Sequence, residues 1–317
     1  MRLKYIDIRF YLGALFFCSL SVIGQQEAQF TQFTLNTISV NPAYAGSRGQ
    51  FTAATLYRSQ WVGLPGAPET LTVNLHSPIR NSRLGYGLSI INDNIGDGVI
   101  DETSIDGVVS YTIDVSSTAK LSFGLNVSGS FLNLDFNNLR NFDQEGQNQP
   151  ITNQANISEV NPNFGLGFYY HTDKFYAGLS APDLLSNNSF DNNGQNLLSA
   201  ERVNYFLIAG YVFDLNSNLK FKPAFLSKVV NGAPLQLDIS GSLLFNDRFS
   251  IGAAYRFDAA VSALAGFQIT DQIMLGLAYD REITELGATQ FNDGSFEVFL
   301  RFELLKKFQR TVSPRFF

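Results

Sequence analysis

The sequence predicts an all-β protein, a transmembrane antiparallel β-barrel of about fourteen strands. Between residues 51 and 305 the chain divides into stretches in which apolar side chains alternate with small or polar ones. The connections between these stretches fall into two sets that take turns: one set holds only tight polar turns, and the other holds all the long loops. Charged residues make up only 16% of the chain, whereas water-soluble proteins usually carry about 25%.

Residues 1–24 are predicted to be a secretory signal peptide. Three basic residues precede an apolar run over residues 10–23, and Gly24 supplies a small residue before the cleavage site. A membrane helix is the alternative, but the run is shorter than the roughly 20 residues that cross a bilayer. Cys18, the single cysteine of the chain, leaves with this peptide. Disulfides and cysteine metal sites are therefore excluded from the mature protein.

The rest of the chain divides into three parts. Residues 25–50 form an N-terminal segment that lies in the periplasm or folds into the lumen, residues 51–305 form the barrel, and residues 306–317 form a basic tail. An even number of strands places both ends of the barrel on the periplasmic side. Without the signal peptide the net charge is about −8, which is not the balance of a nucleic-acid-binding protein.

The alternation is plainest near the C-terminus. Over residues 295–304 four apolar side chains point one way, namely Phe296, Val298, Leu300 and Phe302, and oppose Glu297, Phe299, Arg301 and Glu303. Successive side chains of a strand project to opposite faces, so one face is predicted to meet lipid and the other to line the interior. The same pattern predicts strands near 51–61, 69–77, 84–90, 99–113, 121–128, 162–170, 174–182, 203–213, 219–228, 234–245, 248–258, 260–269 and 272–281.

Two strands carry a further expectation. Residues 203–213 are apolar on both faces, which predicts a packed interior at that point. Pro223 lacks an amide hydrogen and is expected to remove a ladder hydrogen bond unless it lies at a bulge or a strand end.

The predicted connections also indicate which end of the barrel faces the periplasm. The tight set comprises residues 78–82, 115–118, 171–174, 214–218, 246–247 and 270–272, which are rich in the residues that favour turns. The long set includes residues 137–161, 183–202 and 282–294. Outer-membrane barrels have short periplasmic turns and long outer loops. The long loops are therefore expected outside, as exposed surface or as contacts for a partner.

The search for catalytic, cofactor and metal sites identifies none. His76 and His171 are far apart in the sequence and lack metal-ligand spacing. No glycine-rich phosphate loop leads from a strand into a helix. The inward-facing charges Arg248, Arg256, Asp258, Asp280 and Arg301 either line a pore or pair across a filled interior. We therefore expect no cofactor and no enzymatic activity.

Two short clusters are the candidate partner-binding residues. The first, residues 41–46, contains Asn41, Pro42, Tyr44 and Gly46. Pro42 restricts the backbone and Gly46 permits an unusual turn, so a stiff turn before the first strand is the alternative interpretation. The second cluster contains Arg58, Gln60 and Trp61. Its alternative is a membrane-interface anchor, because tryptophan is enriched at that depth.

These clusters carry a family resemblance. The run Gln-Phe-Thr-Gln-Phe at residues 29–33, followed by Asn36, by Asn-Pro-Ala-Tyr-Ala-Gly at 41–46 and by Arg-Ser-Gln-Trp at 58–61, resembles the PorP/SprF family. The ending Ser-Pro-Arg-Phe-Phe at residues 313–317 is also similar to that family, in which tyrosine is commoner than phenylalanine at position 316.

The resemblance implies an outer-membrane barrel of the type IX secretion system of Bacteroidetes. Members of the family are associated with gliding motility and with export of cargo that bears a C-terminal sorting domain, such as a large surface adhesin. The implied partners are the lipid bilayer, the periplasmic lipoprotein and ring components, the translocon and the cargo.

The predicted function is therefore docking and assistance of protein export at the outer membrane. In this prediction residues 41–46 and the basic tail meet the periplasmic machinery, and Gln60 and Trp61 fix the N-terminal segment to the barrel. A diffusion channel or small-molecule transporter is the first alternative, since about fourteen strands can enclose a lumen. A secreted β-sandwich or an outer-membrane enzyme is the second.

Overall fold

The computed structural model describes residues 29–138, 140–142, 148–150, 156–186, 202–284, 287 and 292–304. Fourteen antiparallel strands form its main sheet. They are β1 Phe51–Ser59, β2 Glu69–Pro78, β3 Leu84–Ile95, β4 Ile100–Asp114, β5 Lys120–Leu134, β6 Ile157–His171, β7 Phe175–Ala181, β8 in two pieces (Asn204–Tyr211 and Phe213–Asn216), β9 Leu219–Val230, β10 Gln236–Phe245, β11 Phe249–Arg256, β12 Ala260–Gln268, β13 Ile273–Glu282 and β14 Ser295–Leu304. The described residues contain no helix long and apolar enough to cross a bilayer.

The sheet closes on itself. β14 pairs with β1 from Phe51↔Leu304 to Ser59↔Phe296, and each other strand pairs with its neighbours in chain order. β8 completes the circle because it pairs with both β7 and β9. Closure leaves no long strand edge in the hydrocarbon layer, where water cannot satisfy backbone polar groups. The predicted barrel of fourteen strands is confirmed.

The two faces of the wall have the predicted chemistry. In β14 the side chains of Phe296, Val298, Leu300 and Phe302 are exposed on the outer face. The intervening Ser295, Glu297, Phe299, Arg301 and Glu303 are buried inside. A water-soluble fold has the reverse arrangement, so lipid is the solvent that this outer face fits.

The connections form the two predicted sets. Residues 79–83, 115–119, 172–174, 217–218, 246–248 and 269–272 are the tight set at one end of the barrel, called here the turn end. Asn246 and Asp247 both have positive φ (51° and 53°), as a hairpin turn that matches strand twist requires. The long connections lie at the other end, called here the loop end.

The long connection between β5 and β6 is shorter than predicted. The loop predicted over residues 137–161 ends at Asn156, because β6 begins at Ile157 and pairs with β5 along its whole length. The outward face at this end of the strand carries Ser158 and Pro162 beside Val160, which weakens the apolar alternation there. A 3-10 turn, Phe136–Asn138, and a hairpin of Arg140–Phe142 with Asn148–Pro150 lie in the remaining loop.

Pro223 lies inside β9, and the ladder beside it is interrupted. β8 pairs with β9 at Gly210↔Ala224 and again at Phe213↔Phe221, and the interruption between these two pairs begins at Tyr211, which lies opposite Pro223. The missing amide hydrogen therefore removes ladder pairing as expected. On the other side of β8, the Val212 N–H continues the ladder with β7 by donating to the carbonyl of Lys174 (2.8 Å).

Residues 29–50 lie inside the barrel and are called the plug. They contain two 3-10 turns, Thr37–Ser39 and Pro42–Tyr44. Apolar plug residues such as Phe33, Val40 and Tyr44 share one buried cluster with Phe206 and Ile208 of β8. The packed interior predicted at residues 203–213 is thus confirmed. The predicted signal peptide, the predicted tail and parts of the three long loops lie outside the described residues.

Candidate functional site

The plug runs lengthwise through the lumen. Its first residues contact Asp280 and Glu297, which lie at the loop ends of β13 and β14. Its last residues contact Glu303, near the turn end of β14. The plug therefore runs from the loop end to the turn end of the barrel, where the chain continues into β1.

An ionic cluster holds the plug at the loop end of the barrel. Arg58 of β1 donates through Nη1 to Asp280 Oδ2 (2.6 Å) and to Glu297 Oε1 (2.7 Å). The Thr31 hydroxyl donates to Asp280 Oδ2 (2.6 Å), and the Thr31 and Gln32 backbone N–H groups donate to Glu297 (2.6 and 2.9 Å). All five residues are buried. Charge-assisted hydrogen bonds of this kind are the strong ones, so this cluster fixes the plug to three strands at once.

Polar wall side chains bind the middle of the plug. Asn74 Nδ2 donates to Asn36 Oδ1 (2.5 Å), which explains the first asparagine of the family-like run. The Ser180 hydroxyl donates to the carbonyl of Val40 (2.6 Å). The wall thereby satisfies plug polar groups that no water reaches, as buried polar groups require.

Asn41 links the plug turn to the wall. Its Oδ1 accepts from the Ala43 N–H (2.9 Å) and caps the Pro42–Tyr44 turn, while its Nδ2 donates to the Phe168 carbonyl of β6 (3.0 Å). Pro42 occupies the first position of the turn, where its missing N–H has no hydrogen bond to lose. The motif therefore forms a stiff turn, and the turn is buried in the lumen.

Wall glycines make room for this turn. A Cβ on Gly124 would overlap the backbone N of Ala43, and one on Gly167 would overlap Asn41 Oδ1. A Cβ on Gly85 would lie 2.6 Å from the Ala45 carbonyl oxygen. These glycines of β3, β5 and β6 form a socket into which the plug backbone fits. Close backbone approach is a recognised reason for glycine in a strand.

Tyr44 fills the space between two wall aromatics. Its ring makes edge contacts with His76 (centroids 5.5 Å apart) and Tyr169 (5.4 Å). Gly46, with φ of +72°, turns the chain so that its N–H donates to His76 Nδ1 (3.2 Å). His76 thus serves the plug as a hydrogen-bond acceptor and a packing partner.

Replacing Tyr44 with alanine is expected to lower the free energy of unfolding by about 3–5 kcal/mol, because a large buried aromatic leaves a cavity. Trp61→Ala is the comparison, and it is expected to have the smaller effect because Trp61 is only partly buried. Urea unfolding in lipid vesicles measures the difference. Equal effects of the two substitutions would contradict the packing role of Tyr44.

A second ionic cluster holds the plug at the turn end of the barrel. Arg48 forms a salt bridge with Glu303, and Gln50 Nε2 donates to the same carboxylate (2.6 Å). Arg301 Nε lies 3.2 Å from Glu303 Oε1. Burial alone would lower the pKa of Arg48, but Tyr44 and Glu303 offset that effect and raise the pKa above its ordinary value. Arg48 therefore stays charged.

Gln60 and Trp61 lie at the loop end of the barrel. Their backbone N–H groups donate to the Pro68 carbonyl (2.9 Å) and to Ser295 Oγ (3.2 Å). Trp61 has a left-handed backbone (φ 43°), and Val62 exchanges two hydrogen bonds with the β13–β14 loop. These contacts join two loops at the loop end. Arg58 is the member of the cluster that contacts the plug.

A cavity of about 190 Å³ lies between the plug and the wall. Phe30, Phe33 and Val40 of the plug supply apolar lining. Wall residues add carboxylates, hydroxyls and amides, with Arg202 and Lys228 as the basic lining residues. In the described part of the chain no group of three His, Cys, Asp or Glu residues is placed to hold a metal ion.

Sequence reasoning named some of these residues without their partners. Asp280 pairs with Arg58 and Arg301 with Glu303, while Arg256 pairs with Asp238 (3.0 Å). These three inward charges are therefore paired, but along the inner wall and not across the lumen: the partners lie on the same strand, on the adjacent strand or two strands away. Glu297 and Glu303 were missed as site residues. The available signal was a carboxylate at inward positions of a strand whose other face is apolar.

Comparison with known proteins gives a family and a set of similar folds. The family model of the type IX secretion system membrane protein PorP/SprF matches residues 22–302. No curated protein matches the chain.

Three solved structures illustrate the similarity of fold. One is the Acinetobacter baumannii outer membrane protein Omp33, with 9% identity, TM-score 0.45, and 80% of this chain and 98% of that chain covered. Another is a Pseudomonas aeruginosa FadL homologue, with 13% identity, TM-score 0.47, and 88% and 95% covered. The third is the CymD monoaromatic hydrocarbon channel, with 9% identity, TM-score 0.48, and 90% and 95% covered.

The family model spans most of the chain, from before the plug into the last strand. The closed barrel with an apolar outer face is the fold that such a membrane protein needs. The protein therefore belongs to the PorP/SprF family and is an outer-membrane component of the type IX secretion system.

Proposed function

We propose that the protein docks cargo that bears a C-terminal sorting domain, such as a surface adhesin, and assists its export. The observation that supports this proposal most is the filled lumen: the plug contacts the wall from Thr31 at the loop end to Gln50 at the turn end. A lumen occupied by the protein's own backbone favours docking over diffusion of solutes.

The two ends of the barrel offer different surfaces. In this proposal the turn end faces the periplasm, as short turns do in outer-membrane barrels, and it meets the periplasmic lipoprotein and ring components together with the basic tail at 306–317. The loop end, where Gln60 and Trp61 join two loops, meets the cargo or the translocon. Export of a motility adhesin would extend the same role to gliding.

The remaining candidate residues act through the plug in this proposal. Asn41, Pro42, Tyr44 and Arg58 are buried, so a partner would reach them only after the plug moves. We infer that they support partner binding indirectly, because they hold the plug in one position between the two surfaces. A Tyr44→Ala variant that leaves export of cognate cargo unchanged would contradict this indirect role, and a Trp61→Ala variant that does so would contradict cargo contact at the loop end.

The purified protein in a planar lipid bilayer is expected to show no steady conductance, because the plug is bound along the whole lumen. A matched preparation of an open porin serves as the positive control for insertion. Co-isolation of the protein with type IX secretion components and cargo from detergent-solubilised outer membranes is the second expected result. Steady, solute-selective conductance without co-isolation would instead favour a diffusion channel.

A further inference from the structure

The lumen at the turn end holds more buried cations than buried carboxylates. Arg48 of the plug, Lys222 of β9 and Arg301 of β14 are buried there, with 9%, 3% and 6% of their surfaces exposed. Glu303 is the buried carboxylate beside them. The other buried carboxylates of the described chain lie toward the loop ends of their strands, and they are Asp238, Asp280 and Glu297.

Two guanidinium groups share a single carboxylate oxygen in this region. Arg48 Nε forms a salt bridge with Glu303 Oε1, and Arg301 Nε lies 3.2 Å from the same atom. Gln50 Nε2 donates to the second oxygen, Oε2 (2.6 Å). Arginine keeps its charge in proteins, so the two guanidinium groups together with Glu303 leave an excess of positive charge. Buried charge of this kind is costly unless it is balanced.

Arg301 also has a hydrogen-bond donor without an acceptor. Its Nε is within ion-pair distance of Glu303, but the N–H is not directed at the carboxylate, and no acceptor among the described residues takes that hydrogen. A buried donor that makes no hydrogen bond costs free energy, and the cost is larger when the donor is charged. The arrangement therefore lacks an acceptor, and the excess of positive charge indicates that this acceptor is an anion.

Lys222 reaches the same region from a separate part of the wall. β9 and β14 are not neighbours in the sheet, yet Arg301 and Arg48 are the charged groups that act on the Lys222 ammonium. Cations from the plug and from two separate strands therefore face one part of the lumen. Arg48, Lys222 and Arg301 are called here the basic cluster.

The sequence shows that the tail cannot supply the negative charge through a side chain. Residues 305–317 follow β14 at this end, and they contain lysine and arginine but no aspartate or glutamate. The other acidic residues outside the described part precede residue 28 or belong to connections at the loop end. An anion from outside the chain is therefore the simplest counter-charge for the basic cluster.

We propose that the basic cluster binds a small inorganic oxyanion of the phosphate class. Guanidinium groups match the oxygens of such an anion through paired hydrogen bonds, and a lysine ammonium binds it as a point charge. The anion accepts the Arg301 Nε–H, balances the cations and links Arg48 of the plug to Arg301 of the wall. It is thus a counter-ion that holds the plug at the turn end, and this inference does not depend on the docking function.

Two measurements on the purified whole protein test the site. Equilibrium dialysis of the detergent-solubilised protein against radiolabelled inorganic phosphate is expected to give about one bound phosphate per chain, as for a single site. The urea midpoint in lipid vesicles is measured while phosphate replaces chloride at constant pH and ionic strength. A ligand that binds only the folded state stabilises it according to the occupancy of its site. We therefore expect a rise in the midpoint that follows the binding curve from dialysis.

Three variants locate the site. Arg301→Gln and Lys222→Met each remove one cation of the basic cluster, and we expect each to weaken phosphate binding by about ten-fold or more, because a hydrogen bond to a charged group is lost. Lys220→Met is the matched control in the same strand, since Lys220 Nζ donates to the exposed Asp247 (2.6 Å). It is expected to change binding by less than about two-fold. Each variant is compared with itself without phosphate, so its own stability cancels.

Several results would overturn the proposal. Phosphate strengthens folded proteins generally, because it is excluded from their surfaces, so an equal rise in the native protein, Arg301→Gln and Lys222→Met would show no specific site. Native protein that retains no phosphate in dialysis would do the same, whether or not the variants assemble. Displacement of bound phosphate by chloride at equal concentration would indicate a halide site and refute the oxyanion.

Discussion

Replacing Arg58 with alanine is expected to lower the free energy of unfolding by about 3–5 kcal/mol, because two buried carboxylates lose their cation. Asp280 and Glu297 have almost no solvent exposure, so water cannot take the place of the guanidinium. The same carboxylates accept hydrogen bonds from Thr31 and Gln32. The substitution should therefore weaken the attachment of the plug at the loop end as well as the packing between β14 and β1.

Two measurements detect the effects of Arg58→Ala on the barrel and on the plug. The urea midpoint in lipid vesicles reports the stability of the barrel, and conductance in a planar bilayer reports the position of the plug. Arg256→Ala is the matched control, because Arg256 pairs with Asp238 of the neighbouring strand β10. We expect Arg256→Ala to lower stability without raising conductance. An Arg58→Ala barrel that unfolds at the same urea concentration as the native protein would contradict the stabilising role of this ionic cluster.

The cause of the loss is also testable. The triple variant Arg58→Met, Asp280→Asn and Glu297→Gln removes every charge of the cluster together. Neutral replacement of a buried ionic group is often tolerated, whereas removal of one partner alone is not. The triple variant is therefore expected to be more stable than Arg58→Ala. If it is less stable, the attraction within the cluster and not the unpaired charge dominates.

Replacing Gly124 with valine is expected to displace the plug from its socket. The new Cβ would overlap backbone atoms of Pro42 and Ala43, which cannot move aside as a flexible side chain could. Overpacking of this kind costs about 1–3 kcal/mol and sometimes more. Valine itself suits a strand, so the wall should still form while the turn at residues 42–44 leaves it.

Gly129→Val is the control in the same strand. A Cβ on Gly129 would meet only the ring of Phe131 at 3.9 Å, an ordinary contact. Conductance and maleimide labelling of an added Ala45→Cys are the measurements, since the mature chain has no other cysteine once Cys18 is removed. We expect Gly124→Val to raise the labelling rate about ten-fold or more and Gly129→Val to leave it unchanged. Equal labelling would show that the socket does not hold the plug.

Local sequence pattern was sufficient for the wall. The side chains of β14 alternate so regularly that every inward and outward position could be assigned before pairing was known. The prediction was weaker where the outer face is not uniformly apolar: β6 begins at Ile157, five residues before the predicted start near 162. Its outward Ser158 and Pro162 interrupt the apolar signal, so alternation alone could not extend the strand.

The candidate residues were found as motifs, but their roles depended on distant partners. Arg58 was grouped with Gln60 and Trp61 because they are adjacent in sequence. In the structure it belongs with Thr31, Asp280 and Glu297, and the Thr31–Glu297 contact joins residues 266 positions apart. A single sequence contains no information on which inward charge meets which across a lumen.

The sequence by itself therefore determined the barrel, its two sets of connections and its family, because alternation, turn composition and short motifs are local properties. Only the tertiary structure decided that residues 29–50 fill the lumen, that wall glycines receive the turn at 42–44, and that Arg58 pairs with Asp280 and Glu297. Each of these depends on how closely distant backbones approach. That distance is set by closure of the whole sheet and is not encoded in any one stretch of the chain.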